Sequence, residues 1–297
     1  MITKTAMITI CGRPNVGKST LTNALVGEKI AIVSNKPQTT RNRISAVVNR
    51  GDTQFVIIDT PGFHKPRTRL GDYMVNVVKE SVADVDAVML LVEPIANIGR
   101  QEEELIARIK ETGVPAILVI NKIDTVEKTE LLEVMAAYSA AHDFDAIIPM
   151  SAKNGEGLDE LLSELGKYAQ PGPQLFPDDM ICDQPEKQIC AELVREKLLL
   201  CLDKEIPHGT AVEVTKFSER ENGIIDLEVT IYCEKDSHKG IIIGKKGAML
   251  KKIGELARED IEDFMGTKVY LQTWVKVKEN WRDSMASLRN FGFTQDN

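Results

Sequence analysis

Met7-Ile8-Thr9-Ile10-Cys11, a run of β-favouring residues, leads straight into Gly12-Arg13-Pro14-Asn15-Val16-Gly17-Lys18-Ser19-Thr20 and then into the helical segment Lys18–Val26. The loop has the form G-x-x-x-x-G-K-S and lies between a predicted strand and a predicted helix, the context that this pattern requires. Its glycines let the backbone turn N–H groups inward around phosphate oxygens, and the N-terminus of the helix adds positive potential. Lys18 supplies a cation to the terminal phosphates, and the Ser19 hydroxyl is a ligand for Mg²⁺. Gly12 through Thr20 therefore read as a phosphate-binding segment.

Outward from this loop, short apolar runs alternate with longer segments of helical period as far as Tyr168. Strands are predicted at 7–11, 44–49, 54–59, 87–92, 116–121 and 146–150, and helices at 18–26, 72–82, 101–111, 129–141 and 158–169. This alternation predicts an α/β domain with a mostly parallel sheet and helices on both faces. Several polar motifs then fall at strand ends. Asp59-Thr60-Pro61-Gly62 closes an aliphatic strand, placing an acid by the Mg²⁺ shell and the Gly62 N–H by a γ-phosphate. Pro37-Gln38-Thr39-Thr40-Arg41 lies in a polar loop, and Thr40, rather than Thr39, is read as the residue that closes on Mg²⁺ while the γ-phosphate is present. Asn121-Lys122-Ile123-Asp124 follows another strand. The Asp124 carboxylate can accept from both N1–H and the exocyclic amine of guanine, whereas adenine offers no such donor pair. Asn121 is expected to brace the loops and Lys122 to lie along the ring. Ser151-Ala152-Lys153 is expected to offer a backbone N–H to the guanine oxygen.

These motifs together resemble the translation-factor-like GTPases, and among them the Era family of bacterial GTPases over almost the whole chain. The resemblance implies GTP/GDP binding, GTP hydrolysis with Mg²⁺, and two segments that respond to the nucleotide. It assigns catalysis to Lys18, Thr40, Asp59 and Gly62, and metal binding to Ser19, Thr40 and, through water, Asp59. The residue after Asp59-Thr60-Pro61-Gly62 is Phe63, which cannot orient water as the glutamine of Ras does, so unaided hydrolysis is expected to be slow. Asn15 is expected to help hold K⁺ against the phosphates, as in relatives that carry Asn here.

Gln170-Pro171-Gly172-Pro173 and Pro177 mark the expected linker at 171–180, between a domain at 1–170 and a second at 181–297. Beyond it the predicted order is helix 186–202, strands 211–218 and 224–233, a short helical turn, a glycine loop, helix 248–264 and strand 268–278. That is an α+β arrangement, with helices on one face of a three-stranded sheet. The glycine loop is Gly244-Lys245-Lys246-Gly247. Its glycines allow close approach of a sugar-phosphate backbone, and its lysines supply positive potential. From Lys235 to Lys252 there are six lysines and one acid, Asp236, in a chain of net charge −8. Lys251, Lys276 and Lys278 extend this RNA-binding set, while Trp274 reads as a sheet-packing residue and recognition is expected to rely on clamping more than stacking. The order resembles the type II KH domain. With the family resemblance, it implies binding of single-stranded RNA at the 3′ end of 16S rRNA, and a role in assembly of the 30S ribosomal subunit.

The 297 residues are enough for two cores, and 43% hydrophobic with 28% charged residues is the balance of an ordinary globular chain. The acidic balance excludes bulk electrostatic coating of nucleic acid, so any RNA site must be local. Five scattered cysteines read as buried free thiols, and neither they nor the four histidines have metal-site spacing. Apolar runs such as 87–92 fall short of the about 20 residues that span a bilayer. No secretory leader is read at the start, so a cytoplasmic protein is expected, and no heptads appear, so a monomer. The family adds a weak peripheral association with the inner face of the cell membrane. Two other readings stay open: a GDP-holding RNA-binding module with little turnover, and a membrane-associated cell-cycle GTPase whose C-terminal domain docks protein.

Overall fold

Ala87–Val92 and Ala116–Ile120 are apolar at every position and nowhere more than 3% exposed, as expected of strands covered on both faces. They sit within the first compact unit of the computed structural model, which describes residues 1–62, 66, 68–81 and 85–293. In chain order this half of the sequence forms β1 (Lys4–Cys11), α1 (Lys18–Val26), β2 (Ile44–Arg50), β3 (Thr53–Asp59), α2 (Arg69–Glu80), β4 (Ala87–Val92), α3 (Arg100–Thr112), β5 (Ala116–Ile120), α4 (Lys128–Ala141), β6 (Ala146–Pro149), α5 (Leu158–Leu165) and β7 (Gln170–Pro171). The sheet runs β2-β3-β1-β4-β5-β6. Along this order all neighbours are parallel except β2 with β3, and β7 adds to β1 antiparallel. Gly12, Thr60, Asn121 and Met150 follow closely on the C-terminal ends of parallel strands, so the loops they open gather at one edge of the sheet, where open α/β sheets bind ligands.

Helix α2 starts at Arg69, before the expected Asp72, because Thr68 caps it: the Gly71 N–H donates to Thr68 Oγ1 at 3.2 Å. Its expected end, Val82, lies outside the described residues. Helix α5 stops at Leu165, and one tight turn, Gly166–Tyr168, replaces the rest of the expected segment.

The expected linker is more structured than its prolines imply. Gln170–Pro171 pairs antiparallel with Lys4 and Thr5, below the point where β4 begins to pair with β1 at Ile8. A proline is tolerated there because the position is at an edge. Farther on, the Val47 N–H donates to Ile181 O at 2.9 Å, and the Asp183 N–H to Ser45 O at 3.0 Å. The chain thus stays with the first unit to Asp183, and the second unit takes Gln184–Asn297 together with Ile32–Thr39 and Pro66–Tyr73.

The second unit contains α6 (Glu186–Cys201), β8 (Ala211–Glu219), β9 (Ile225–Cys233), α7 (Asp236–Ile243), α8 (Ala248–Met265), β10 (Val269–Val277) and α9 (Met285–Asn290). Its sheet order is β10-β9-β8, parallel between β10 and β9 and antiparallel between β9 and β8. The expected short turn before the glycine loop is a full helix, α7. The C-terminal segment was not foreseen as structure. Trp281 is fully buried, donates from Nε1 to Gly209 O at 2.9 Å and meets Phe291 edge-on at 5.3 Å. Four cysteines are buried and Cys201 is half-buried; burial pushes the Cys11 and Cys190 thiols up to about 12. Among the described residues no helix is long and apolar enough to cross a membrane.

Candidate nucleotide and nucleic-acid sites

Gly12 and Gly17 bracket the first loop because no other residue fits. At Gly17, whose φ is 104°, a Cβ would lie 2.2 Å from Asn121 Nδ2; at Gly12 it would lie 2.4 Å from Leu91 O. Lys18 Nζ is folded over the loop, donating to Gly12 O at 3.2 Å and Arg13 O at 2.9 Å. Val16 is buried, Asn15 is exposed in a left-handed conformation with φ 67°, and Thr20 lies in the first turn of α1. Gly62 packs on the loop, since a Cβ there would come within 2.8 Å of Pro14 Cα.

Three hard oxygen donors meet beside Lys18. Ser19 Oγ is 2.8 Å from Thr40 Oγ1 and donates to Asp59 Oδ2 at 2.8 Å. The Thr39 hydroxyl instead donates to Lys36 O at 2.6 Å, so Thr40 is the threonine brought to this point. Asp59 is fully buried, and its Oδ1 has no hydrogen-bond partner among the described residues. Burial pushes its carboxyl up to about 6, opposed by Lys18, the Ser19 hydroxyl and a backbone N–H. Burial likewise pushes the Lys18 ammonium down to about 8, opposed chiefly by Asp59. A polyphosphate at Lys18 and a hard dication at Asp59 are the partners that would offset both desolvation costs, and the Ser19, Thr40 and Asp59 oxygens fit Mg²⁺.

The base-side loops are joined by one side chain. Asn121 donates from Nδ2 to Val16 O at 2.8 Å and accepts the Ala152 N–H at Oδ1 at 2.9 Å. Lys122 donates to Asn15 O at 2.7 Å and pairs with Glu93 at 2.6 Å. Asp124 accepts the Ser151 hydroxyl at 2.7 Å, which with other neighbours holds its carboxyl below the usual range. The Ser151 N–H goes to Glu156 O at 3.0 Å. Of the three N–H groups in the segment expected to offer one to guanine, those of Ser151 and Ala152 are thus committed within the protein, because both brace the loop. Phe63 lies outside the described residues.

In the second unit Gly244 (φ 72°) ends α7 and Gly247 (φ 81°) opens α8, with Lys246 left-handed between them. A Cβ at Gly244 would lie 2.7 Å from Met249 Cβ. Lys245 and Lys246 are exposed at the junction, and exposed Lys251 follows in α8, 3.7 Å from Glu255. Alternation along β10 sets Lys276 with Tyr270, Gln272 and Trp274 on the sheet face away from the helices. Lys278 Nζ lies 4.7 Å from the Phe291 ring centre. Trp274 is 54% exposed, so the packing role expected for it is corrected.

Fold and site together define a P-loop GTPase with a KH domain behind it. The match to a family of 50S ribosome-binding GTPases over residues 7–122 and to the KH domain family over residues 205–282 agrees. GTPase Era of Ruminiclostridium cellulolyticum is 52% identical over 98% of this chain and 97% of its own length, and the chain belongs to the GTPase Era family. A variant of Aquifex aeolicus Era bound to GDP·AlF4⁻ superposes with a TM-score of 0.94 at 37% identity, over 98% of this chain and 100% of that one. Era in complex with MgGDPNP and nucleotides 1506–1542 of 16S ribosomal RNA superposes equally, with a TM-score of 0.94 at 36% identity, over 99% and 100% of the two chains.

Proposed function

We propose that the chain is a GTP-driven switch that grips the single-stranded 3′ end of 16S rRNA through Gly244–Gly247 and assists assembly of the 30S subunit. The observation that carries the switch is the meeting of Ser19, Thr40 and Asp59 at 2.8 Å, because Thr40 lies in a loop and reaches this point from a distance in sequence. Mg²⁺, held at the Ser19, Thr40 and Asp59 oxygens, would supply neutralisation of the charge that develops on the phosphates. Lys18 and the loop amides would bind the phosphates, Ser19 directly and Asp59 through water would hold the metal, and Thr40 would join them only with the triphosphate. Gly62 turns its N–H to the γ-phosphate. Asp124 selects guanine, and the Lys153 N–H is the remaining donor of its loop for the guanine oxygen. Asn15 is the residue through which K⁺ would assist.

The RNA reading is supported by the exposed lysines of the G-x-x-G loop and by the RNA held by a relative of the same fold. The same reading places the chain in the cytoplasm, with a weak peripheral contact at the inner membrane face. GTP turnover with Mg²⁺ and K⁺, measured with and without the single-stranded RNA, tests it. Turnover that rises with RNA is expected; turnover indifferent to a bound RNA would leave two independent modules. Equal rates in KCl and NaCl would remove K⁺.

A further inference from the structure

The loop that ends at Thr40 is held from helix α6. Arg195, only 2% exposed, donates from Nη1 to Gln38 O at 3.3 Å and from Nη2 to Thr39 O. Glu192, one turn earlier, binds the same guanidinium at 2.8 Å through Nε and 2.5 Å through Nη2. Two further bonds flank this contact: the Val33 N–H donates to Glu196 Oε1 at 2.8 Å, and Lys36 Nζ to Leu202 O. Gln38 is left-handed, with φ 60°, a conformation that a side chain disfavours and that needs support from outside the loop. Residues Ile32–Thr39 and α6 belong to one compact unit, and the very next residue, Thr40, bonds to Ser19.

From these contacts we infer that Arg195 is a positioning residue for GTP hydrolysis: it fixes the two carbonyls before Thr40 and thereby sets where the Thr40 hydroxyl stands. A buried guanidinium whose only acceptors were those carbonyls would hold the loop permanently, because release would strand its charge. Glu192 removes that penalty, since Arg195 keeps a carboxylate partner whether or not the loop is docked. The contact is therefore a latch, and it makes the helix that begins the RNA-binding unit a determinant of turnover. The inference rests on the reading of Thr40 as the ligand that responds to the γ-phosphate.

The test uses the full chain with Arg195→Met and Arg195→Lys, read by hydrogen–deuterium exchange of peptides covering 32–42 and by steady-state GTP turnover. In Arg195→Met, exchange at 32–42 should rise about tenfold with 225–233 unchanged, and kcat should fall about tenfold while KM stays within twofold. Arg195→Lys should be intermediate in both, because one ammonium cannot span both carbonyls. Wild-type exchange and kcat in a folded Arg195→Met would overturn the latch. If Arg195→Met also loses protection at 225–233, Arg195→Lys decides: partial loosening confined to 32–42 supports the latch, and wild-type exchange there overturns it. The exchange readout needs no turnover, so wild-type protein that failed to hydrolyse GTP would refute the functional reading separately.

Discussion

Asn121 donates to Val16 O and accepts from the Ala152 N–H, so a single amide joins the phosphate loop to the loop on the base side. Asn121→Ala would orphan a buried carbonyl and a buried N–H together. A loss of about 2–4 kcal/mol in stability is expected from two such groups, measured as a lower urea midpoint, together with weaker binding of fluorescent GDP. Asp124 acts differently, because it selects rather than braces. Asp124→Asn would replace one acceptor by a donor, costing about 3 kcal/mol against guanine, or roughly 100-fold in GTP affinity. Xanthine carries a carbonyl where guanine carries its amine, so XTP should outcompete GTP on this variant in displacement of labelled nucleotide. GTP binding at wild-type strength by Asp124→Asn would take guanine recognition away from this residue.

At the scale of elements, what was legible in the sequence is what is encoded locally. The strands β4 and β5 are uninterrupted aliphatic runs, and α1 follows its glycine loop directly, so both could be read from neighbouring residues alone. The segment after α5 could not. Its prolines and glycine argue against regular structure, yet it is fastened by a residue far away in sequence: buried Gln54 accepts the Leu175 and Phe176 N–H groups at 2.9 Å each and donates to Phe176 O at 2.9 Å. The Arg195 contact with Thr39 was hidden for the same reason, as was the exposure of Trp274, which depends on what covers β10. Gln54→Ala should leave the two N–H groups without partners, while the Phe176 carbonyl keeps the Gln174 amide, and cost about 1–3 kcal/mol. Limited proteolysis should then cut within 172–180 well before the wild type is cut there. Equal cleavage rates would mean that the backbone bonds at 181–183 suffice to hold this segment.

At the scale of the whole molecule, the acidic chain and its basic clamp make opposite demands on a polyanion. A net charge of −8 repels RNA at long range, so binding must come from the exposed lysines concentrated between 235 and 252. Lys245 and Lys246 stand at the tip of the α7–α8 junction, where two glycines admit a phosphate backbone. Replacing both by glutamate removes two cations that release counterions. The slope of log affinity against log salt should therefore become shallower by about 1.4, at about 0.7 for each phosphate contact on a single strand. The two new carboxylates also repel the strand, so affinity at low salt should fall by more than the lost contacts alone would give. The nucleotide site draws on residues 12–20, 40, 59–62, 121–124 and 151–153 of the first unit, so GDP affinity should stay within twofold of wild type. Binding of a 3′-terminal 16S rRNA oligonucleotide across a salt series, beside GDP binding on the same preparation, reads both effects. An unchanged salt slope in the double variant would move the RNA contact off the glycine loop, and the sheet face bearing Tyr270, Trp274 and Lys276 would become the surface to mutate next.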